Sequence, residues 1–142
     1  AQLHQLKSLA FTRVRAPAEG LIGLGSNLKE VERLELRELE TDSLVGDLLG
    51  DLHALQEARL EGMWAGNRAM KSLGQAKKLR RLELIETRVT NFSLNELKPL
   101  KELREVHWEG SSFNDLSPLY LKELPIEHFR CSCPSFGDAG VR

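Results

Sequence analysis

Apolar residues recur along this chain at a fixed interval. The stretch 79–99, LRRLELIETRVTNFSLNELKP, opens with Leu79, Leu82 and Leu84 at the spacing L-x-x-L-x-L. A polar turn follows, then Val89 and Phe92, and an amphipathic piece carrying Leu94, Leu97 and Leu100 closes the unit. The opening recurs two dozen positions later as Leu103, Val106 and Trp108, and as far upstream as Leu55, Ala58 and Leu60. Val31, Leu34 and Leu36 stand one more period back, and Leu6, Leu9 and Phe11 a period before that, lengthened by a single position. Ile126, Phe129 and Cys131 follow Leu103 after a period shortened by one. Units therefore start near 6, 31, 55, 79, 103 and 126. The last breaks off at Arg142, short of a full period, and is incomplete. A period in this range marks a solenoid.

Each opening predicts a short strand whose side chains alternate between two faces. Parallel strands at this spacing require a crossover return in every unit. The inward rows should be Leu9, Leu34, Ala58, Leu82, Val106, Phe129 and, beside them, Phe11, Leu36, Leu60, Leu84, Trp108, Cys131. Ala58 is small, so Met63 or Met70 is the candidate to fill the gap. The first return, Arg13 to Gly25, is rich in Gly and Pro and reads as loop. The returns over 42–49 and 67–73 show helical spacing. Pro99 should hold the helix of the fourth unit to a turn or two.

The outward rows alternate in charge. Ser8, Arg33, Glu57, Arg81, Glu105 and His128 form one row, and Ala10, Glu35, Arg59, Glu83, His107 and Arg130 the next. A third holds Arg37, Glu61, Ile85 and Glu109. Identical residues stacked in register would place like charges side by side, which is unfavourable. Alternation converts that repulsion into a checkerboard of pairs, each worth only about 0–1 kcal/mol.

The fifth unit adds a motif. Its return reads Phe113-Asn114-Asp115-Leu116-Ser117-Pro118-Leu119 and leads into Leu124-Pro125-Ile126. This resembles the leucine-rich repeats of the short bacterial, internalin-like class, and the likeness covers nearly the whole chain. The family's polar residue eight positions after the first Leu is matched by Thr87 and Ser111, whereas Val14, Leu39, Met63 and Pro134 depart from it. The resemblance implies one domain over 1–142: an α/β, right-handed leucine-rich-repeat solenoid with a curved parallel sheet on the concave side and short helices or turns on the convex side. It also implies a non-catalytic protein-binding module working through the concave sheet. The residues expected to contact the partner are Arg33, Glu35, Arg37, Glu57, Arg59, Glu61, Arg81, Glu83, Ile85, Glu105, His107 and Glu109. Ile85, apolar and central, is the expected hot spot. A rival site is the turn side, with Trp64, Arg88 and Phe113.

Charge and cysteine content narrow the classes. Twenty Lys and Arg oppose 21 Asp and Glu, so the basic surplus of a nucleic-acid or membrane-surface module is missing. No apolar run approaches the roughly 20 residues of a membrane span. No charged-then-apolar leader opens the chain, although its start at Ala1 leaves room for an upstream segment. Cys131 and Cys133 make no disulfide framework, which favours a reducing, cytoplasmic setting. Cys131 takes an inward position and His128 an outward one, so neither a zinc site nor a cysteine nucleophile is expected. His107 and His128 read as solvated members of the checkerboard, with pH sensing as the minority reading. Trp108 reads as core. Gly23-Leu24-Gly25-Ser26 lacks a phosphate fingerprint. No catalytic residue, cofactor or metal is expected. The expected partner is a protein, and end-to-end association through the incomplete last unit is a further expectation. Two alternatives stand beside partner binding: a spacer or scaffold segment of a longer repeat protein, and the recognition arm of an enzyme whose catalytic domain is absent here.

Overall fold

The structure, a computed structural model, describes residues 7–12, 29–38, 52–62, 67–110 and 116–132. Six five-residue strands follow one another: β1 (Ser8–Thr12), β2 (Arg33–Arg37), β3 (Glu57–Glu61), β4 (Arg81–Ile85), β5 (Glu105–Glu109) and β6 (His128–Ser132). They form one parallel sheet in the order β1-β2-β3-β4-β5-β6. Cα partners run Ser8–Arg33–Glu57–Arg81–Glu105–His128, the register set by the sequence repeat.

The described returns are short. Helix α1 (Asn67–Leu73) lies between β3 and β4. Helix α2 (Asn91–Leu94) runs straight into a 3₁₀ turn, Asn95–Leu97. A second 3₁₀ turn, Ser117–Leu121, separates β5 from β6. Thr90 starts α2: its hydroxyl accepts a hydrogen bond from the Ser93 N–H at 3.3 Å, which satisfies one of the free first-turn amides. The regular turn ends before Pro99, as that residue's fixed backbone requires. α1 packs on α2 and on Asn95–Leu97, and α2 packs on Ser117–Leu121. The helical expectation for 42–49 and the loop expectation for 13–25 lie outside the described residues, as do Met63, Trp64, Phe113, Cys133 and Phe136.

The backbone repeats as closely as the sequence. Ahead of each of the first five strands one carbonyl accepts from two successive amides of the next unit. Gln56 O receives Arg80 N at 2.8 Å and Arg81 N at 3.1 Å, and Lys7, Glu32, Arg80 and Arg104 do the same in their units. After four of the strands the chain passes through a positive-φ residue: Glu38 (54°), Gly62 (61°), Glu86 (49°) and Gly110 (128°), each one repeat beyond the last. Their amides extend the ladder, as in Gly62 N to Ile85 O at 2.9 Å.

The core lies between the inward sheet face and the returns. Leu34, Leu36, Ala58, Leu60, Leu82, Leu84, Val106 and Trp108 share one cluster with Met70, Leu73, Leu94, Leu97 and Leu121. Each fully buried leucine contributes about 1.5–3 kcal/mol. One unit could not bury this face alone, so the domain is stable only as a stack.

Two inward expectations need correction. Phe129 holds a core position in the register yet is 42% exposed, and it meets Trp108 edge-to-face at 5.2 Å. Phe92, which belongs to neither inward row, is 72% exposed, while Val89, Leu94 and Leu97 around it are buried. Cys131 is only half-buried against the core and is disulfide-bonded rather than a reduced core thiol. The ground for a reducing compartment is thereby removed. No helix among the described residues is long and apolar enough to cross a membrane.

Candidate functional site

The outward sheet face carries the charged rows that the alternation placed there, and the strands lock them together. In the first row Arg33 Nε lies 3.6 Å from Glu57, and Arg81 Nε 3.7 Å from Glu105. In the second, Arg59 reaches Glu35 at 3.6 Å on one side and Glu83 at 3.1 Å on the other. His107 approaches the same Glu83 at 3.9 Å. In the third, Arg37 meets Glu61 at 3.4 Å. Pairs also form along each strand: Arg37–Glu35 at 2.6 Å, Arg59–Glu61 at 3.0 Å, Arg81–Glu83 at 2.9 Å and His107–Glu109 at 3.6 Å.

Over β2 and β3 these contacts close a ring, Arg37–Glu35–Arg59–Glu61. From Arg59 the network continues through Glu83 to Arg81 and His107. Burial by itself would lower the Arg59 pKa. The Glu61 hydrogen bond and the charges of Glu83, Glu61 and Glu35 outweigh it and raise the pKa above its ordinary value. The guanidinium is thus the fixed positive centre of the face.

The structure brings all twelve expected contact residues onto this side of the sheet, but two are not free surface. Glu83 is only 9% exposed, covered by the side chains that pair with it. Ile85 is 6% exposed and lies outside the contiguous core cluster. It occupies the third-row place held by Arg37 on β2, between Glu61 and Glu109 in the register. Ile85 is therefore a buried residue and not the exposed hot spot expected from its position. Two grooves remain open on this face: one of about 410 Å³ over β4–β6, lined among others by Arg81, Glu83, Glu105, His107, His128 and Arg130, and one of about 290 Å³ over β1–β4, lined among others by Arg33, Glu35, Glu57 and Arg59.

On the return side Arg88 is exposed. Large exposed apolar residues also gather there: Phe92, Leu116 and Leu119. Phe92 and Leu116 occupy the same place in successive units, and the Ser117 hydroxyl bonded to Asn91 Oδ1 holds those units together. Sequence reasoning passed over Leu116 and Leu119. Falling outside the L-x-x-L-x-L set was no signal, since Leu94, Leu97 and Leu121 do so too and are buried. No group of three or more His, Cys, Asp or Glu able to hold a metal occurs among the described residues.

A two-dozen-residue unit with L-x-x-L-x-L on a parallel strand and a short helix or 3₁₀ return defines a leucine-rich-repeat solenoid. No protein-family model matches the chain, and no curated protein matches it. Among solved structures it is similar to internalin C2 of Listeria monocytogenes strain 4b F2365, with a TM-score of 0.48 and 16% identity over 92% of this chain and 82% of that one. The fold assignment stands on the chain's own repeat and register.

Proposed function

We propose that this solenoid is a non-catalytic protein-binding module that docks its partner on the outward face of the sheet, chiefly over β4–β6. The observation that carries this reading is the state of the charged side chains. Cross-strand and in-strand pairs already hold them in place across β2–β5, so little rotamer entropy is lost when a partner binds. A mosaic with both signs present selects by pattern rather than by net charge. The groove beside the closed ring is where Glu105 and His128 remain exposed to supply such a pattern.

The test uses one variant that inverts a pair and one that breaks the exposed Arg81–Glu105 contact. Arg33→Glu combined with Glu57→Arg exchanges the two ends of an exposed 3.6 Å contact. A second variant, Glu105→Lys, alters the groove. Partners captured by the wild-type chain and identified by mass spectrometry should be held at least tenfold more weakly by one or both variants, with the unfolding midpoint unchanged. Equal retention by both would remove the sheet face as the docking surface.

A second reading is a spacer whose β6 turn packs end to end on a further repeat, favoured by the exposure of Leu116, Leu119 and Phe129. It requires concentration-dependent association in light scattering that Leu119→Glu abolishes. A monomer at all concentrations would count against it.

A further inference from the structure

Charge is divided unequally between the two sides of the solenoid. The sheet rows alternate in sign and pair internally. The returns do neither. Residues 67–78, 91–102 and 116–123 carry seven Lys and Arg against three Glu. Lys77 and Lys101 hold the same place in successive units, and so do Lys98 and Lys122, so like charges follow one another where the sheet would alternate them. Lys71, Lys77, Lys78, Lys98, Lys101 and Lys122 are exposed, and none pairs with a carboxylate among the described residues. Charge of one sign that the fold does not neutralise attracts ligands of the other sign.

The same side carries an apolar groove. It encloses about 320 Å³ where the fourth and fifth returns meet. Leu116, Leu119 and Tyr120 give it an apolar lining, and Lys98, Lys122 and Glu123 a charged one. Leu116 and Leu119 are exposed, and Phe92, one unit before Leu116, extends the apolar surface over α2. α2 packs on Ser117–Leu121, and the Ser117 hydroxyl donates to Asn91 Oδ1. The two returns are thereby fixed to each other, and the groove exists before anything enters it.

We propose that this groove is a second docking site, on the side opposite the sheet face, and that it takes an acidic amphipathic helix of a partner protein. Leucine-sized side chains of that helix seat against Leu116, Leu119 and Tyr120, and its carboxylates meet Lys98 and Lys122. The volume lies at the low end of ligand sites, about 300–1,000 Å³, and suits a few side chains. Apolar anchors at helical spacing, flanked by charge, are how a groove reads a helix. The sign follows from the lining, where two lysines outnumber Glu123, with Lys101 exposed in the same return as Lys98. A basic helix would set like charge on like charge and be rejected. A bilayer surface would meet Phe92 and the lysines but leave the concave groove unfilled. A second copy bound through the same patch by a two-fold axis would bring Lys98 and Lys122 onto a second set of lysines.

Fluorescence anisotropy on the whole chain tests the site. The probe is a fluorescein-labelled peptide of about 15 residues, long enough to form a helix, with leucines at helical spacing and glutamates elsewhere. The control peptide has lysine in place of glutamate. The acidic peptide should bind saturably and at least about tenfold more tightly than the basic one. Leu119→Glu, and Lys98→Glu combined with Lys122→Glu, should each weaken binding by about tenfold or more, with the unfolding midpoint unchanged. Glu123→Lys should tighten binding about threefold, a gain that no folding defect imitates. Arg33→Glu combined with Glu57→Arg, on the sheet face, should leave the peptide affinity as it is, so the two surfaces succeed or fail separately. Absence of saturable binding, equal affinity for both peptides, or Glu123→Lys without a gain would each overturn the proposal. So would phosphatidylserine vesicles bound through Leu119 when the peptide is not, which would assign the patch to a lipid surface. Self-association lost in Leu119→Glu, again without peptide binding, would assign it to a second copy and overturn the proposal equally.

Discussion

Gly74 has no room for a side chain. A Cβ there would lie 2.1 Å from the Glu96 carbonyl oxygen, so the return of one unit touches backbone in the next. The clash is with main chain, which cannot rotate away. Gly74→Ala should therefore cost about 1–3 kcal/mol in denaturant unfolding. The positive-φ series gives the opposite case. Glu86 adopts φ 49° where the units on either side place Gly62 and Gly110. Side chains in the left-handed region are strained by about 1–2 kcal/mol, partly offset by the greater freedom of an unfolded glycine. Glu86→Gly should raise stability by about 0.5–1 kcal/mol, and a lower unfolding midpoint would show that the carboxylate matters more than the backbone. Neither residue announces itself in the sequence, since close approach and φ belong to the folded chain. Ile85 shows the same limit. Its outward register was legible from alternation, but its burial was not, because that depends on what covers the sheet.

At the scale of the element, each strand is a module with one inward and one outward job. On β4, Leu82 and Leu84 are fully buried. Leu84→Ala should cost about 2–5 kcal/mol in denaturant unfolding, with the spread set by how far the neighbours close the cavity. On β3, Arg59 ties Glu35, Glu61 and Glu83 together. Its side chain is about one third exposed (35%), so water screens those pairs. Arg59→Gln should cost about 1 kcal/mol at low ionic strength, and the loss should shrink in about 1 M salt, where the screening length falls to about 3 Å. A loss that grows with salt would mean that Arg59 acts by packing its stem. The pairing in these rows was readable from the sequence because a parallel register offset by one repeat sets opposite charges side by side. The closed ring over β2–β3 was not, because it depends on which rotamers let Arg37 reach both Glu35 and Glu61.

Over the whole molecule, strands touch only their neighbours in sequence order. Stability in such a stack is close to a sum of units and interfaces. Amide exchange should be slowest in β2–β5, flanked on both sides, and faster in β1 and β6. Uniform protection across all six strands would indicate a more cooperative unit than this topology implies. Period, strand positions, inward rows and charge alternation all follow from the sequence alone. A fixed repeat leaves a parallel stack one register, and a side-chain period of two leaves each residue one face. The folded arrangement alone decided which positions water reaches. Exposure depends on the neighbouring turns: partner side chains cover Glu83, while the outward Phe92, Leu116 and Leu119 and the inward-register Phe129 remain in contact with solvent.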